Sequence, residues 1–138
     1  MYYGAIKKYD VANGEGIRVS LFVSGCRNRC KNCFQPETWA FDYGKPFDND
    51  AESYVIEALD NPSVRGLTVL GGEPMEPENQ EAILPLLREM KKRFPNKEIL
   101  ADLKIMDAGY YEAEEALKAG ADYITVLGVT DNLTVKGA

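Results

Sequence analysis

The stretch "GLTVLGGEPMEPENQEAILPLLREMKKRFPNKEILADLKI", residues 66–105, decides the fold. Its start, "GLTVLGGEP" (66–74), reads as a buried strand, an apolar run stopped by two glycines and a proline. "EPENQEAILPLLREMKKRFP" (76–95) follows, with acids in its first turn and Lys/Arg in its last, the polarity that the helix macrodipole favours. Ile83, Leu84, Leu87, Met90 and Phe94 make its apolar stripe. Pro85 is a defect there, marking either a kink or the true first turn. "EILADLKI" (98–105) is again a strand. Strand, helix and strand in this order indicate a βα unit and a parallel sheet.

The same rhythm extends outward. "GIRVSLFVSG" (16–25) is β-branched and aromatic-rich and predicts a strand feeding a loop. The loop runs through the turn formers of "FDYGKPFDND" (41–50) to a helix over about 50–60, with Tyr54, Val55, Ala58 and Leu59 at helical spacing. After residue 105 come a helix, "YYEAEEALKAG" (110–120), a strand, "DYITVLG" (122–128), and a tail, "TDNLTVKGA", that is a helix barely begun. The expectation is one α/β domain over 1–138, a partial β/α barrel or small open sheet. It would have about four parallel strands with helices on one side, too few for a closed eight-stranded barrel. Sites in such sheets form at the carboxyl ends of strands. The cysteine loop, "GGEP" and "DLKIMD" all fall there and should share one rim.

The 138 residues fit one domain with a moderate core. A net charge of −6 argues against a nucleic-acid or anionic-membrane surface, although Arg18, Arg27, Arg29 and Lys31 gather around the cysteines. No apolar run approaches the ~18 residues of a membrane helix, and the start lacks a signal-peptide core, so a cytoplasmic setting with reduced thiols is expected. Histidine is absent, which excludes Ser-His-Asp and Cys-His catalysis and mixed Cys/His zinc sites within the chain.

All the cysteines, Cys26, Cys30 and Cys33, stand as C-x3-C-x2-C in "FVSGCRNRCKNCFQPETW" (22–39). Three is odd for a disulfide framework and one short of a closed zinc site, unless a carboxylate or a second chain completes it. Three unrelated buried thiols do not suit so dense and polar a loop. An iron–sulfur cluster, whose irons favour thiolates, is the remaining reading. With four irons, a cubane would leave one iron open. The nearby Arg and Lys would keep the thiolates deprotonated and offset the cluster charge.

C-x3-C-x2-C followed by a strand-terminal "GGEP" resembles the radical S-adenosylmethionine superfamily. The resemblance implies that a [4Fe–4S] cluster on Cys26, Cys30 and Cys33 chelates S-adenosylmethionine. An electron from the cluster then cleaves the sulfonium, and a 5′-deoxyadenosyl radical abstracts a hydrogen atom. It implies that Gly71, Gly72 and Glu73 contact the cofactor's amino group, glycines permitting close backbone approach and a carboxylate matching an ammonium. "YDVANGEGIRVSLFVSGCRNRCKNCFQPETW" is closer still to the activating proteins of anaerobic ribonucleoside-triphosphate reductase. Asn13, Gly14, Gly16, Arg18, Cys33-Phe34 and Trp39 match that family. The likeness runs through "YGKPF", "GLTVLGGEPMEPENQ" and "FPNKEI", about residues 1–99. It implies glycyl-radical generation on the reductase large subunit, a flavodoxin-type reductant and oxygen sensitivity. Asn32 stands where the superfamily often has an aromatic, so adenine stacking is left unassigned.

From about residue 97 the chain instead resembles 3-hexulose-6-phosphate synthase, of the orotidine-monophosphate-decarboxylase barrel group. The D-x-K-x-x-D hallmark lies at Asp102, Lys104 and Asp107, and "GADYITVLGVTD" follows. In that family the first acid helps hold Mg2+ and the lysine steadies an enediolate. Read without it, Asp102 and Lys104 are an ion pair on one strand face, two residues apart. The chain thus reads as a graft, an activase-like portion over 1–99 and an aldolase-barrel-like βαβ portion over 100–138. Two alternatives follow, an aldehyde-lyase fragment or a cluster-binding module without activase activity. The sheet edge left uncovered near the end should dimerise, aggregate or dock on a partner.

Overall fold

The computed structural model describes residues 1–138. Its strands are β1 (Tyr2–Asp10), β2 (Ile17–Val23), β3 (Lys45–Pro46), β4 (Val64–Gly71), β5 (Glu98–Ile105) and β6 (Tyr123–Val126). The helices are α1 (Asn49–Leu59), α2 (Pro77–Arg93), α3 (Gly109–Lys118) and α4 (Asn132–Gly137). The strands form one mixed sheet in the order β3-β1-β2-β4-β5-β6. β2, β4, β5 and β6 are mutually parallel, so the expected arc of four parallel strands is present. β1 and β3 add an antiparallel flank that the sequence reading missed.

The parallel arc is built on alternation. Val19, Leu21 and Val23 of β2 point to one face, where they meet Leu67 and Val69 of β4, Val55 and Leu59 of α1, and Leu86 and Met90 of α2. Each such fully buried side chain contributes about 1.5–3 kcal/mol. α3 covers the same face further along, its Ala116 lining a cavity of about 30 Å³ with Val69, Ile83, Leu87, Ile99 and Ala101. The helices that pack on the sheet therefore lie on one side, as an open segment of a β/α barrel requires. No helix is long and apolar enough to cross a membrane.

Several local expectations shift. α2 carries Pro77 in its first turn and runs through Pro85, which sits on its exposed side, so Pro85 does not begin the helix. Its buried stripe is Ile83, Leu86, Leu87 and Met90; Leu84 and Phe94 are only half-buried. In α1 Tyr54 faces outward under the Lys8 ammonium, 4.0 Å from the ring centroid, while Ile56 turns inward. The tail does form a helix, α4, capped by Asp131, whose carboxylate accepts from the N–H of Leu133 (2.7 Å) and of Thr134 (2.8 Å).

The Asn13-Gly14-x-Gly16-x-Arg18 turn is explained by the face opposite the helices. Arg18, 1% exposed, donates to the Thr68 hydroxyl (2.6 Å) and to the carbonyls of Leu67 (2.9 Å) and Glu98 (3.0 Å). Its carboxylate partner is Glu98, at 3.5 Å. Thr68 in turn donates to the Asn13 carbonyl at 2.8 Å. A Cβ on Gly14 would stand 2.6 Å from Arg18 Cδ, and Gly14 holds φ +120, so only glycine fits over the buried arginine.

Candidate functional site

The carboxyl ends of β2 and β4 place the cysteine loop and the Gly-Gly-Glu turn side by side. β2 leads through Ser24 and Gly25 into Cys26, and β4 ends at Gly71. The parallel ladder pairs Val23 with Gly71, so the two chains leave the sheet at the same level. Beyond it, the Gly72 N–H donates to the Val23 carbonyl (2.8 Å) and the Glu73 N–H to the Gly25 carbonyl (2.9 Å). The approach is tight enough to demand glycine. A Cβ on Gly71 would lie 2.6 Å from the Val23 oxygen, and one on Gly72 would lie 2.6 Å from the Gly25 oxygen.

The cysteine loop is anchored at both ends. Gly25 N–H donates to the Thr38 carbonyl (2.8 Å) and Cys26 N–H to that of Trp39 (3.3 Å), across a 3-10 turn at Pro36–Trp39. Cys26 is buried, Cys33 half-buried and Cys30 exposed. Cys33 N–H donates to the Cys30 carbonyl at 3.1 Å. Between them, Arg29 (φ 45) and Asn32 (φ 67) hold left-handed backbone. The loop does not gather its three thiols into one ready ligand set. Burial pushes the Cys26 thiol up, the backbone N–H groups of Asn28 and Arg29 pull it down, and Glu73 and Cys30 push it further up.

Glu73 is half-buried. Its carboxylate accepts from the Met75 N–H (2.9 Å) and from Asn28 Nδ2 (3.3 Å). Burial raises its pKa above the ordinary glutamate value; the Met75 bond opposes this, Glu112 and Glu76 add to it, and Lys104 opposes it. A desolvated carboxylate in that state gains most from an incoming cation.

The basic residues do not all serve the thiols. Arg18 is spent beneath the sheet, and Arg27 is paired with Glu76 and Glu78, its guanidinium 4.5 Å from the Phe41 centroid. Only Arg29 and Lys31 of that group have no carboxylate partner. Phe34 is 88% exposed.

Of the second constellation, Asp102 and Lys104 come together and Asp107 does not join them. Asp102 pairs with the Lys104 ammonium and accepts from the Thr125 hydroxyl at 2.6 Å. That hydroxyl oxygen accepts from the Lys104 N–H at 2.9 Å. Lys104 sits at φ 52, where the β5–β6 register is interrupted. Asp107 lies instead beside Glu112, whose pKa is raised by burial and then by that neighbour. Glu76 and Asn79, which grip both halves of the first site, were not singled out from sequence.

The chemistry of the loop, three thiols in a chain without histidine and loop amides aimed at the Cys26 sulfur, suits an iron–sulfur cluster better than a mixed Cys/His zinc. In agreement, residues 12–122 match the family model described as a 4Fe-4S single cluster domain. Among curated relatives, the anaerobic ribonucleoside-triphosphate reductase-activating protein of Vibrio cholerae is 37% identical over 131 residues, 92% of this chain and 81% of that protein. Those of Pasteurella multocida and Escherichia coli K12 are 38% identical over 104 residues and 35% over 101, covering 69% and 72% of this chain. The chain belongs to this family of anaerobic ribonucleoside-triphosphate reductase-activating proteins. It spans 66% of the length of the Pasteurella and E. coli proteins and 59% of that from Haemophilus influenzae. A solved structure of 3-hexulose-6-phosphate synthase from Salmonella typhimurium is also similar, at 41% identity and a TM-score of 0.47, covering 63% of this chain and 39% of that one.

Proposed function

We propose that this chain is a radical S-adenosylmethionine activase for anaerobic ribonucleoside-triphosphate reductase. Cys26, Cys30 and Cys33 would hold a [4Fe–4S] cluster, and Gly71, Gly72 and Glu73 would receive S-adenosylmethionine. Together these groups supply the one-electron chemistry that makes a glycyl radical on the reductase large subunit. A flavodoxin-type reductant and a cytoplasmic setting belong to the same reading, as does a division near residue 99 between an activase-like and an aldolase-barrel-like portion.

One observation carries it, the 2.9 Å bond from Glu73 N–H to the carbonyl of the residue before Cys26. It holds the Gly-Gly-Glu turn against the main chain that enters the cysteine loop, and the Glu73 carboxylate meets Asn28 of that loop, so an amino-acid cation bound at Glu73 would lie within reach of a group on the cysteines. The protein's own part is to bind and orient, Glu73 accepting the ammonium in a partly desolvated pocket. No side-chain acid or base is needed, because the cofactors carry the hard chemistry.

The test is anaerobic reconstitution. The protein should take up about four irons, and with dithionite and S-adenosylmethionine should release 5′-deoxyadenosine. Glu73→Gln should keep the iron and lose most of the product. Iron without any 5′-deoxyadenosine would leave only a cluster-binding module; zinc uptake in place of iron would sink both. The alternative aldehyde-lyase with Mg2+ at Asp102, Lys104 and Asp107 has less support, since Asp102 is engaged by Thr125 and Lys104 and Asp107 stands apart. Formaldehyde release from hexulose 6-phosphate would revive it.

A further inference from the structure

Two side chains from the start of α2 clasp the cysteine loop to the Gly-Gly-Glu turn. Asn79 is 1% exposed, and its Nδ2 donates to the carbonyl of Ser24 (3.1 Å) and to that of Glu73 (2.9 Å). Both amide hydrogens are thereby used, one on each side of the site. Glu76 is also buried. Its Oε1 accepts the Arg27 N–H at 2.6 Å, and its other oxygen takes the Arg27 guanidinium. That guanidinium reaches on to Glu78 and lies over Phe41, whose ring fills the space a Gly25 Cβ would need. The main chain before Cys26 and the residue just after it are thus both set from one helical turn.

A buried carboxylate is costly unless its bonds are well made, and here both oxygens of the Glu76 carboxylate are bonded by Arg27, one by its main-chain N–H and the other by its guanidinium. The Arg27 side chain is itself 57% exposed, so the pair adds little to stability. What the Glu76 and Asn79 bonds do fix is the course of the main chain on either side of Cys26. We propose that Glu76 and Asn79 are positioning residues for the cluster loop, holding Cys26 against the Gly71-Gly72-Glu73 turn so that the thiols close on iron in one geometry. This rests on Cys26, Cys30 and Cys33 being the cluster ligands.

The full chain, reconstituted anaerobically with iron and sulfide, provides the test. Wild type is compared with Glu76→Ala, Glu76→Gln, Asn79→Ala, Arg27→Ala and Cys30→Ala. The readouts are iron per chain, the rate of iron release to a chelator, the electron paramagnetic resonance spectrum of the reduced cluster, and the thermal midpoint of the iron-free protein. Glu76→Ala and Asn79→Ala should release iron about 10–100-fold faster, with an altered spectrum. Glu76→Gln, whose amide oxygen still accepts the Arg27 N–H, should recover most of the retention. Wild-type release and spectrum in both alanine variants, whatever their midpoints, would overturn the proposal. Should those two fail to fold, Arg27→Ala decides: faster release supports it, wild-type release overturns it. Equal iron in Cys30→Ala and wild type would instead overturn the ligand assignment, and the proposal with it.

Discussion

Glu73 hangs from Gly25: its N–H donates to the Gly25 carbonyl at 2.9 Å, which ties the Gly-Gly-Glu turn to the residue before the first cysteine, while the Glu73 carboxylate reaches Asn28 of the same loop at 3.3 Å. The bond exists because β2 and β4 are adjacent parallel strands that end together and because neither glycine carries a side chain at the crossing. Gly72→Ala would set a methyl group 2.6 Å from the Gly25 oxygen, backbone against backbone, with no flexible neighbour to yield. It should cost about 1–3 kcal/mol and widen the gap between turn and loop. A lowered thermal midpoint together with poorer iron retention is the expected result; an unchanged midpoint would mean that the two segments are not so tightly joined.

Arg18→Ala should be among the most damaging substitutions away from the rim. It would leave the Leu67 and Glu98 carbonyls and the Thr68 hydroxyl without their donor, and open a hole where the largest buried side chain lies. Removing one partner of such a buried network costs about 3–5 kcal/mol. Arg18→Lys, with a single ammonium for several acceptors, should recover only part of this. Urea unfolding measures both, and a loss below about 1 kcal/mol for the alanine variant would contradict the geometry.

How far this was legible beforehand differs by element. The parallel strands were plain, because "SLFV", "LTVL" and "ITV" are short runs dominated by apolar and β-branched residues and bounded by glycines or other turn formers. β1 was not, since "YYGAIKKYD" lies on the antiparallel flank, half exposed, with two lysines and a glycine among its residues. β3 is two residues long and has no pattern at all. The thiols and the Gly-Gly-Glu turn could be assigned to one rim because strand ends predict it. Glu76 and Asn79 were hidden for a physical reason, since an acid and an asparagine at a helix start already have ordinary explanations in the dipole and in capping. Only the fold shows that both reach across to another strand's end. Arg27 misled in the opposite sense, counted as counter-charge for the thiols when its charge is engaged by Glu76 and Glu78.

Asp122 ties the back of the sheet to α2, and its effect should depend on pH. Its carboxylate accepts the Ile99 N–H (2.8 Å) and the Lys91 ammonium (2.6 Å). Burial alone would raise its pKa, but the Lys91 and Ile99 hydrogen bonds outweigh that and hold it below the ordinary aspartate value. A depressed folded pKa gives stability that is present above the unfolded value, about 4, and is lost as the pH falls through the folded one. Asp122→Asn should therefore be less stable than wild type at neutral pH, with the difference closing below about pH 4. A difference that stayed constant from pH 7 to pH 3 would show that charge is not its source.

Ala108 offers the reverse case, a substitution that should stabilise. It precedes α3 in the left-handed region, at φ 49 and ψ 32, and its side chain makes no capping bond there. An L-residue with a Cβ is disfavoured in that conformation by about 1–2 kcal/mol, and glycine is not. Part of the gain is returned, because glycine frees the unfolded chain as well. Ala108→Gly should still raise stability by roughly 0.5–1 kcal/mol, and with it the thermal midpoint by a few degrees. Ala108→Val, β-branched in the same backbone, should lower it. If the glycine variant were the less stable of the pair, the left-handed turn into α3 would not be the conformation that Ala108 holds in solution.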